Sequence, residues 1–339
     1  MVNHSGFKKL PSFDDVGDTG IYYLKRMFAS AQQTKSQRAK GTDPHQEWPL
    51  TLLVSDKLGV GLEATISKLY SCDNFSEFEK WVIDSVPSSI IATVTQSINQ
   101  AVKSHFQQAP NGLMGNANNS FTALTKSQLQ HWRDFGYIVV PNVIDKSLCQ
   151  AARQLAFDVI GAAPQQPASW YQSNGKHRGI MVQSFDHVIQ TQIRQSPKIH
   201  AVFAALWQNH KLQCSSDRMG FNPPETNTWR FPGPNLHWDI NFNQPLKFAT
   251  QGLIYLNDVT AEGGAFSCVP GFHHRFESWY QDLPEGCDPQ QQNWSEWPVK
   301  PIVAKAGSLI VWHHFLPHGS SPNHAAEPRV VQYINMYPA

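Results

Sequence analysis

Charge is scarce in this chain. Asp, Glu, Lys and Arg make up 16% of the 339 residues, and 27 basic against 26 acidic side chains leave a formal net charge of +1. So even a balance offers no field for nucleic acid, a membrane surface or a strongly acidic partner, and any charged ligand must be met by local groups. Cysteine is also sparse. Cys72, Cys149, Cys214, Cys268 and Cys287 are odd in number and none forms a Cys-x-x-Cys pair. That spacing argues against a disulfide framework or a thiolate zinc site and favours a reducing, cytoplasmic setting. The N-terminus lacks the apolar h-region of a signal peptide, and no apolar run approaches the roughly 20 residues that span a bilayer. No internal repeat is visible. What remains is a soluble chain whose 41% hydrophobic content can build one large domain or two modest ones.

Residues 1–108 read as a helical region. Ile21, Leu24, Met27, Phe28 and Ala31 recur at helical spacing, Gln32 to Glu47 is a polar loop, and Ser76 to Glu79 forms a capping box ahead of Phe78, Trp81 and Val82. Pro87 ends that helix, and Ser89 to Phe106 reads as another. Gln107 to Ser120, rich in Gln, Asn and Gly, is a linker. The second region, 122–339, opens with helical signals. Thr125 and Gln128 cap a helix bearing Leu129, Trp132 and Phe135, Gly136 ends it, and Tyr137–Val140 is a strand. Asp145 starts a helix that stops at Gly161, and Lys198–Trp207 is a further one. From about Gln213 the period changes to two, with strands over Leu253–Leu256, Ala265–Val269, Ser308–Trp312 and Arg329–Met336. Glu277 to Pro298 is polar yet holds Trp279, Tyr280, Trp294 and Trp297, so it is either a lid or a loop stitched down by its aromatics. Many short strands divided by Gly and Pro suggest a barrel or jelly roll.

One stretch carries the chemistry. His237 and Asp239 stand two residues apart in Asn-Leu-His-Trp-Asp-Ile-Asn, so an extended backbone projects both to one side and turns Trp238 away. A third ligand is needed, and His318, in Leu-Pro-His-Gly, is the candidate ahead of its neighbours His313 and His314. Two His and one carboxylate form a facial triad that leaves positions open on a ferrous ion. His273 and His274 follow a turn and read as surface or supporting groups. Arg329, on the strand after His318, suits a carboxylic cosubstrate because its planar fork binds both oxygens.

From Thr125 onward the sequence resembles the phytanoyl-CoA dioxygenase family of iron(II)/2-oxoglutarate oxygenases. Five segments carry the resemblance: Leu129 to Val140, with its Trp132, Phe135 and Gly136; His237-Trp238-Asp239; Gly263-Gly264-Ala265-Phe266 running on to Pro270-Gly271-Phe272-His273; Gly307 to Trp312 followed by Leu316-Pro317-His318-Gly319; and Arg329, eleven residues past His318. No resemblance covers residues 1–108. The family implies an α+β chain with a double-stranded β-helix (cupin-like jelly roll) core and flanking helices. It implies Fe(II) on His237, Asp239 and His318, with 2-oxoglutarate bound through Arg329 and a hydroxyl from Ser320 or Ser321, and O2 as co-reactant. The reaction it implies is oxidation of a small molecule at a C–H bond, with succinate and CO2 as co-products. Keeping Asp239 argues for hydroxylation, desaturation or ring closure over halide transfer. Trp238 replaces the polar residue often found between the two ligands, so any steadying of the cosubstrate from there must come from elsewhere. Trp238, Asn241, Gln251, Tyr333 and Asn335 are candidate pocket residues, Tyr333 and Asn335 by alternation from Arg329. A non-catalytic binding module, or a metal hydrolase on the same barrel, are the competing readings.

Overall fold

The computed structural model describes residues 10–38, 47–107, 122–172, 174–233, 236–242 and 245–338. Most of the expected linker, from residue 108, and half of the expected polar loop from Gln32 to Glu47, over 39–46, lie outside the described residues, while residues 32–38 of that loop are helical instead. The chain divides into two compact units, Met1–Ala117 and Asn118–Ala339. No helix among the described residues is long and apolar enough to cross a membrane.

The first unit is helical: α1 (Leu24–Arg38), α2 (Trp48–Leu58), α3 (Leu62–Ser71), α4 (Phe75–Ser85) and α5 (Ser88–Gln107). Met27, Leu50, Val54, Phe78, Val82, Ile98 and Val102 close a core of their own. The expected capping box at Ser76 shifts two residues. Asn74 is the cap, its Oδ1 accepting the Glu77 N–H at 3.0 Å. Glu79 is instead buried and accepts the Thr19 N–H at 3.0 Å and the Thr19 hydroxyl at 2.8 Å. Phe78 and Val82 still face inward because the helical phase is unchanged.

The second unit mixes helix and sheet. In chain order it contains α6 (Lys126–Phe135), β1 (Tyr137–Val140), α7 (Lys146–Ile160), β2 (His177–Arg178), β3 (Met181–Val182), α8 (Val188–Arg194), α9 (Pro197–Trp207), β4 (Leu212–Cys214), β5 (Met219–Asn222), β6 (Thr250–Tyr255), β7 (Phe266–Cys268), α10 (Phe276–Gln281), β8 (Lys300–Pro301), β9 (Leu309–His313), β10 (His318–Ser320), β11 (Arg329–Tyr333) and β12 (Met336–Pro338). The Thr125–Gln128 capping box forms, and Gly136 and Gly161 end their helices at φ 73° and 72°, a backbone that favours glycine.

Seven strands form one sheet in the order β1-β9-β6-β11-β5-β3-β2, three form a second as β10-β7-β8, and β12 pairs with β4. Alternation gives the large sheet two different faces. Met219, Phe221, Ile254, Leu309, Val311 and Val330 pack with α7, α8 and α9. Leu253, Tyr255, Ile310, Trp312 and Val331 face the other way and join Phe266 and Cys268 of the three-stranded sheet. The site residues lie on this second, inner side.

One expectation changes and one open alternative closes. The last strand breaks: β11 stops at Tyr333, and Asn335 falls in the gap before β12. There Ser215 Oγ accepts the Asn335 N–H at 2.9 Å, and Asn335 Oδ1 accepts the Thr250 hydroxyl at 3.1 Å. Alternation from Arg329 therefore ends before Asn335. The segment after Phe272 is stitched down by its aromatics. Trp238 sits at the centre of that cluster, 4.7 Å from Trp279 and 5.2 Å from Trp294 by ring centroids.

Candidate active site

His237 and His318 reach each other through backbone pairing. The His237 N–H donates to His318 O at 2.9 Å and the His318 N–H donates to His237 O at 3.0 Å. This single bridge brings the segment before β6 against β10. Asp239 completes the group: Oδ1 lies 3.5 Å from His237 Nε2 and Oδ2 3.5 Å from His318 Nε2. Their possible ligand atoms all fall within 4.8 Å of one another, so the three residues can hold one metal ion.

The surroundings prepare those atoms. His318 Nδ1 is 3.0 Å from Leu316 O; a proton there leaves the Nε2 lone pair for a metal. Gln251 Nε2 donates to Asp239 Oδ2 at 2.7 Å, and the Trp312 indole donates to Gln251 Oε1 at 3.1 Å. Burial works against the charged Asp239 carboxylate, but the His237 and His318 imidazoles outweigh it and hold the carboxyl far below the ordinary range. The group opens on one side: the His318 side chain is 5% exposed and that of Asp239 56%.

His313 and His314 do not join the group. His313 Nδ1 accepts the Phe315 N–H at 3.1 Å, and its ring lies 5.3 Å from that of His273. Burial first, and neighbouring histidines second, push His313 down to about 3 and His273 to about 4; burial puts His314 at about 4.

Arg329 is 0% exposed, and its Nε, Nη1 and Nη2 have no hydrogen-bond partner. Register sets it opposite Asn222, whose buried Oδ1 is also without one. A buried guanidinium with no acceptor is costly, and its fork of N–H donors matches a carboxylate. Tyr255 does not answer it, because that hydroxyl already accepts the Phe266 N–H and donates to Ile302 O, both at 2.9 Å. Ser320 follows His318 by two residues on β10 and so shares its face, half-buried. Ser321 is engaged with Ser267 Oγ at 2.7 Å and Ala265 O at 3.1 Å.

The expected pocket residues divide. Trp238 is corrected: it is 2% exposed, its indole donates to Phe315 O at 2.9 Å, and it anchors the segment that carries His237 and Asp239 within the aromatic cluster. Gln251 is committed to Asp239 and Trp312. Asn335 is tied to Thr250 and lies off the Arg329 strand. Asn241 is exposed and outside any strand. Tyr333 stays on the Arg329 face, half-buried. Sequence reasoning missed Gln290, which accepts the Trp238 N–H at 3.1 Å and donates to Trp238 O at 2.6 Å. The pattern offered no signal for it, since Gln290 lies 52 residues away along the chain.

Two imidazoles and one carboxylate gathered against a sheet are the donor set of mononuclear non-haem iron enzymes. The family model for phytanoyl-CoA dioxygenase (PhyH) matches residues 132–331, more than half of the chain, and the chain belongs to that family. It is accordingly an iron(II)/2-oxoglutarate-dependent oxygenase that uses iron, 2-oxoglutarate and O2. A Dictyostelium discoideum protein bearing the phytanoyl-CoA dioxygenase name is 24% identical over 254 residues, 60% of this chain and 73% of that one. A methylphosphonate hydroxylase of Gimesia maris is 23% identical over 223 residues, 63% of this chain and 80% of that one. Among solved structures, the epimerase SnoN in complex with Fe3+, α-ketoglutarate and nogalamycin RO is similar at 19% identity and a TM-score of 0.47, covering 63% of this chain and 83% of that one. EvdO2 from Micromonospora carbonacea var. aurantiaca, complexed with 2-oxoglutarate, is similar at 17% identity and a TM-score of 0.44, covering 63% of this chain and 90% of that one.

Proposed function

We propose that the enzyme hydroxylates, or desaturates or cyclises, a C–H bond of a small molecule on a double-stranded β-helix core spanning 122–339, and that it works in the cytoplasm. Residues 1–108 would be a separate helical region. In this reading His237, Asp239 and His318 hold the iron, Arg329 grips the distal carboxylate of 2-oxoglutarate, and Ser320 adds a hydroxyl to the same carboxylate. What carries the reading is Arg329, a fully buried guanidinium whose three nitrogens have no acceptor. A hydrolase on the same barrel has no use for such a group.

When bound, ferrous iron and 2-oxoglutarate supply the oxidising power, through decarboxylation coupled to O2 reduction. The chain's own residues do the rest. Gln251 fixes the rotation of the Asp239 carboxylate, and Leu316 O fixes the His318 ring. The aromatic cluster behind Trp238 keeps water from the metal-bearing backbone. Asp239 marks the open side, through which substrate reaches the metal. The test is conversion of 2-oxoglutarate to succinate in air. Iron-dependent succinate formation should fall to background in His318→Ala and drop at least about tenfold in Arg329→Ala. Succinate formation that survives His318→Ala would refute the ligand assignment.

A further inference from the structure

The reach of His237 and Asp239 towards one metal depends on the residue between them. Both side chains fall on one side only while the backbone at Trp238 is extended, and no strand enforces that. Pairing with β10 here consists of the single bridge between His237 and His318, and β6 begins at Thr250. Trp238 makes no backbone–backbone hydrogen bond among the described residues.

Gln290 supplies what a neighbouring strand would. Its Oε1 accepts the Trp238 N–H at 3.1 Å, and its Nε2 donates to Trp238 O at 2.6 Å. The backbone N–H needs an acceptor and the carbonyl a donor, so the amide can answer both in one orientation alone. A turn at Asp288 carries this side chain: Asp288 Oδ1 accepts the Gln290 N–H at 2.9 Å, and Asp288 O accepts the Gln291 N–H at 3.0 Å. Residues 284–288, just before it, are exposed. The same segment also holds on through rings. Trp279 and Trp294 pack against Trp238, and Tyr280 lies 5.2 Å from Phe242 and donates its hydroxyl to Phe242 O at 3.3 Å.

We infer that Gln290 is a positioning residue through which residues 276–297 and the metal order each other. The inference rests on the proposed function, because it takes His237 and Asp239 for metal ligands. A metal shared with His318 would pin the 237–239 backbone against β10 from one side, and Gln290 pins it from the other. Each step is easier once the other has fixed the extended backbone at Trp238. The coupling is reciprocal: the factor that docked Gln290 adds to metal affinity is the factor that metal adds to docking. Fixing the backbone of one residue sets its scale at about tenfold.

The test uses the whole chain, with ferrous iron added anaerobically and 2-oxoglutarate left out. Amide hydrogen exchange is followed by mass spectrometry in peptides covering 282–298, with α1–α5 as the reference. In the wild type, iron should slow exchange over 282–298 by about tenfold and leave α1–α5 unchanged. Gln290→Met keeps the bulk and loses both hydrogen bonds. It should bind ferrous iron about tenfold more weakly, and saturating iron should no longer slow exchange over 282–298. A residue that merely packs the segment would lower its protection with and without iron alike and leave the iron-induced change in place. Wild-type exchange over 282–298 that ignores bound iron, slowing spread equally over α1–α5, an iron-induced change retained in Gln290→Met, or a variant with wild-type iron affinity would each overturn the inference. Folded wild type that binds no ferrous iron is a separate result, which would remove the ligand assignment and this inference with it.

Discussion

Asp239 sits at the open edge of its two histidines, and Gln251 steers it from behind while tied to Trp312. A carboxylate so exposed has few other contacts to fix its rotation, so Gln251→Leu should weaken ferrous iron binding by about tenfold or more. Anaerobic iron titration checks this, and unchanged affinity would make Gln251 a bystander. That His237, Asp239 and His318 come together was legible in the sequence because each needs only local pattern: two-residue alternation for His237 and Asp239, and the Pro-His-Gly context for His318. The place of Arg329 on the strand after His318 was legible by its distance from that histidine. Gln251 and Gln290 were not legible in these roles. Each acts across strands or loops far apart in the chain, and only register says which residue stands opposite which.

The elements around the site are bound by aromatic packing and by neutral histidines. Phe276 on α10 is 0% exposed and stacks on Phe315 at 4.2 Å between ring centroids. Phe276→Ala should cost about 3–5 kcal/mol in a denaturant titration, whereas Val303→Ala at an exposed position should stay within about 0.5 kcal/mol. Equal costs would mean that the segment after Phe272 is not built into the core. The end of α6 meets β9 through histidines: His273 Nε2 lies 3.1 Å from Arg133 O, and His313 donates its N–H to Gly136 O at 2.7 Å. Burial lowers His313 to about 3 and His273 to about 4 from an ordinary 6.5. The unfolded chain then binds more protons across that interval, so these residues cost nothing above about pH 6.5 and stability falls as pH drops towards 4 and then 3. The urea midpoint should be lower at pH 5 than at pH 7, with the difference reduced in His273→Gln. A midpoint equal at both pH values would contradict this. Helix caps at Thr125 and Asp145 were readable in advance because they are local. The split of the last strand was not, since the bonds from Ser215 and Thr250 that interrupt it come from elsewhere in the fold.

At the scale of the whole molecule, each of the two units closes its own core, one from α1 to α5 and the other from the sheets and α6 to α10. The site residues all belong to the second. A chain of residues 118–339 should therefore fold and bind ferrous iron as the full chain does; loss of binding in that fragment, with its secondary structure intact, would give the helical unit a part in the site. In the sequence, the helical unit showed its general class but not α2, whose buried residues from Leu50 to Leu58 run round the helix without a clean period. The central claim is that the histidines and Asp239 hold iron while Arg329 holds the cosubstrate, and one measurement tests it most directly. Ferrous iron and then 2-oxoglutarate are added anaerobically to the metal-free full chain, its His318→Ala variant and its Arg329→Ala variant. The account predicts a visible charge-transfer band in the wild type, lost in His318→Ala and requiring at least about tenfold more 2-oxoglutarate in Arg329→Ala. No band from folded, iron-loaded wild type, or a band indifferent to both substitutions, would contradict it.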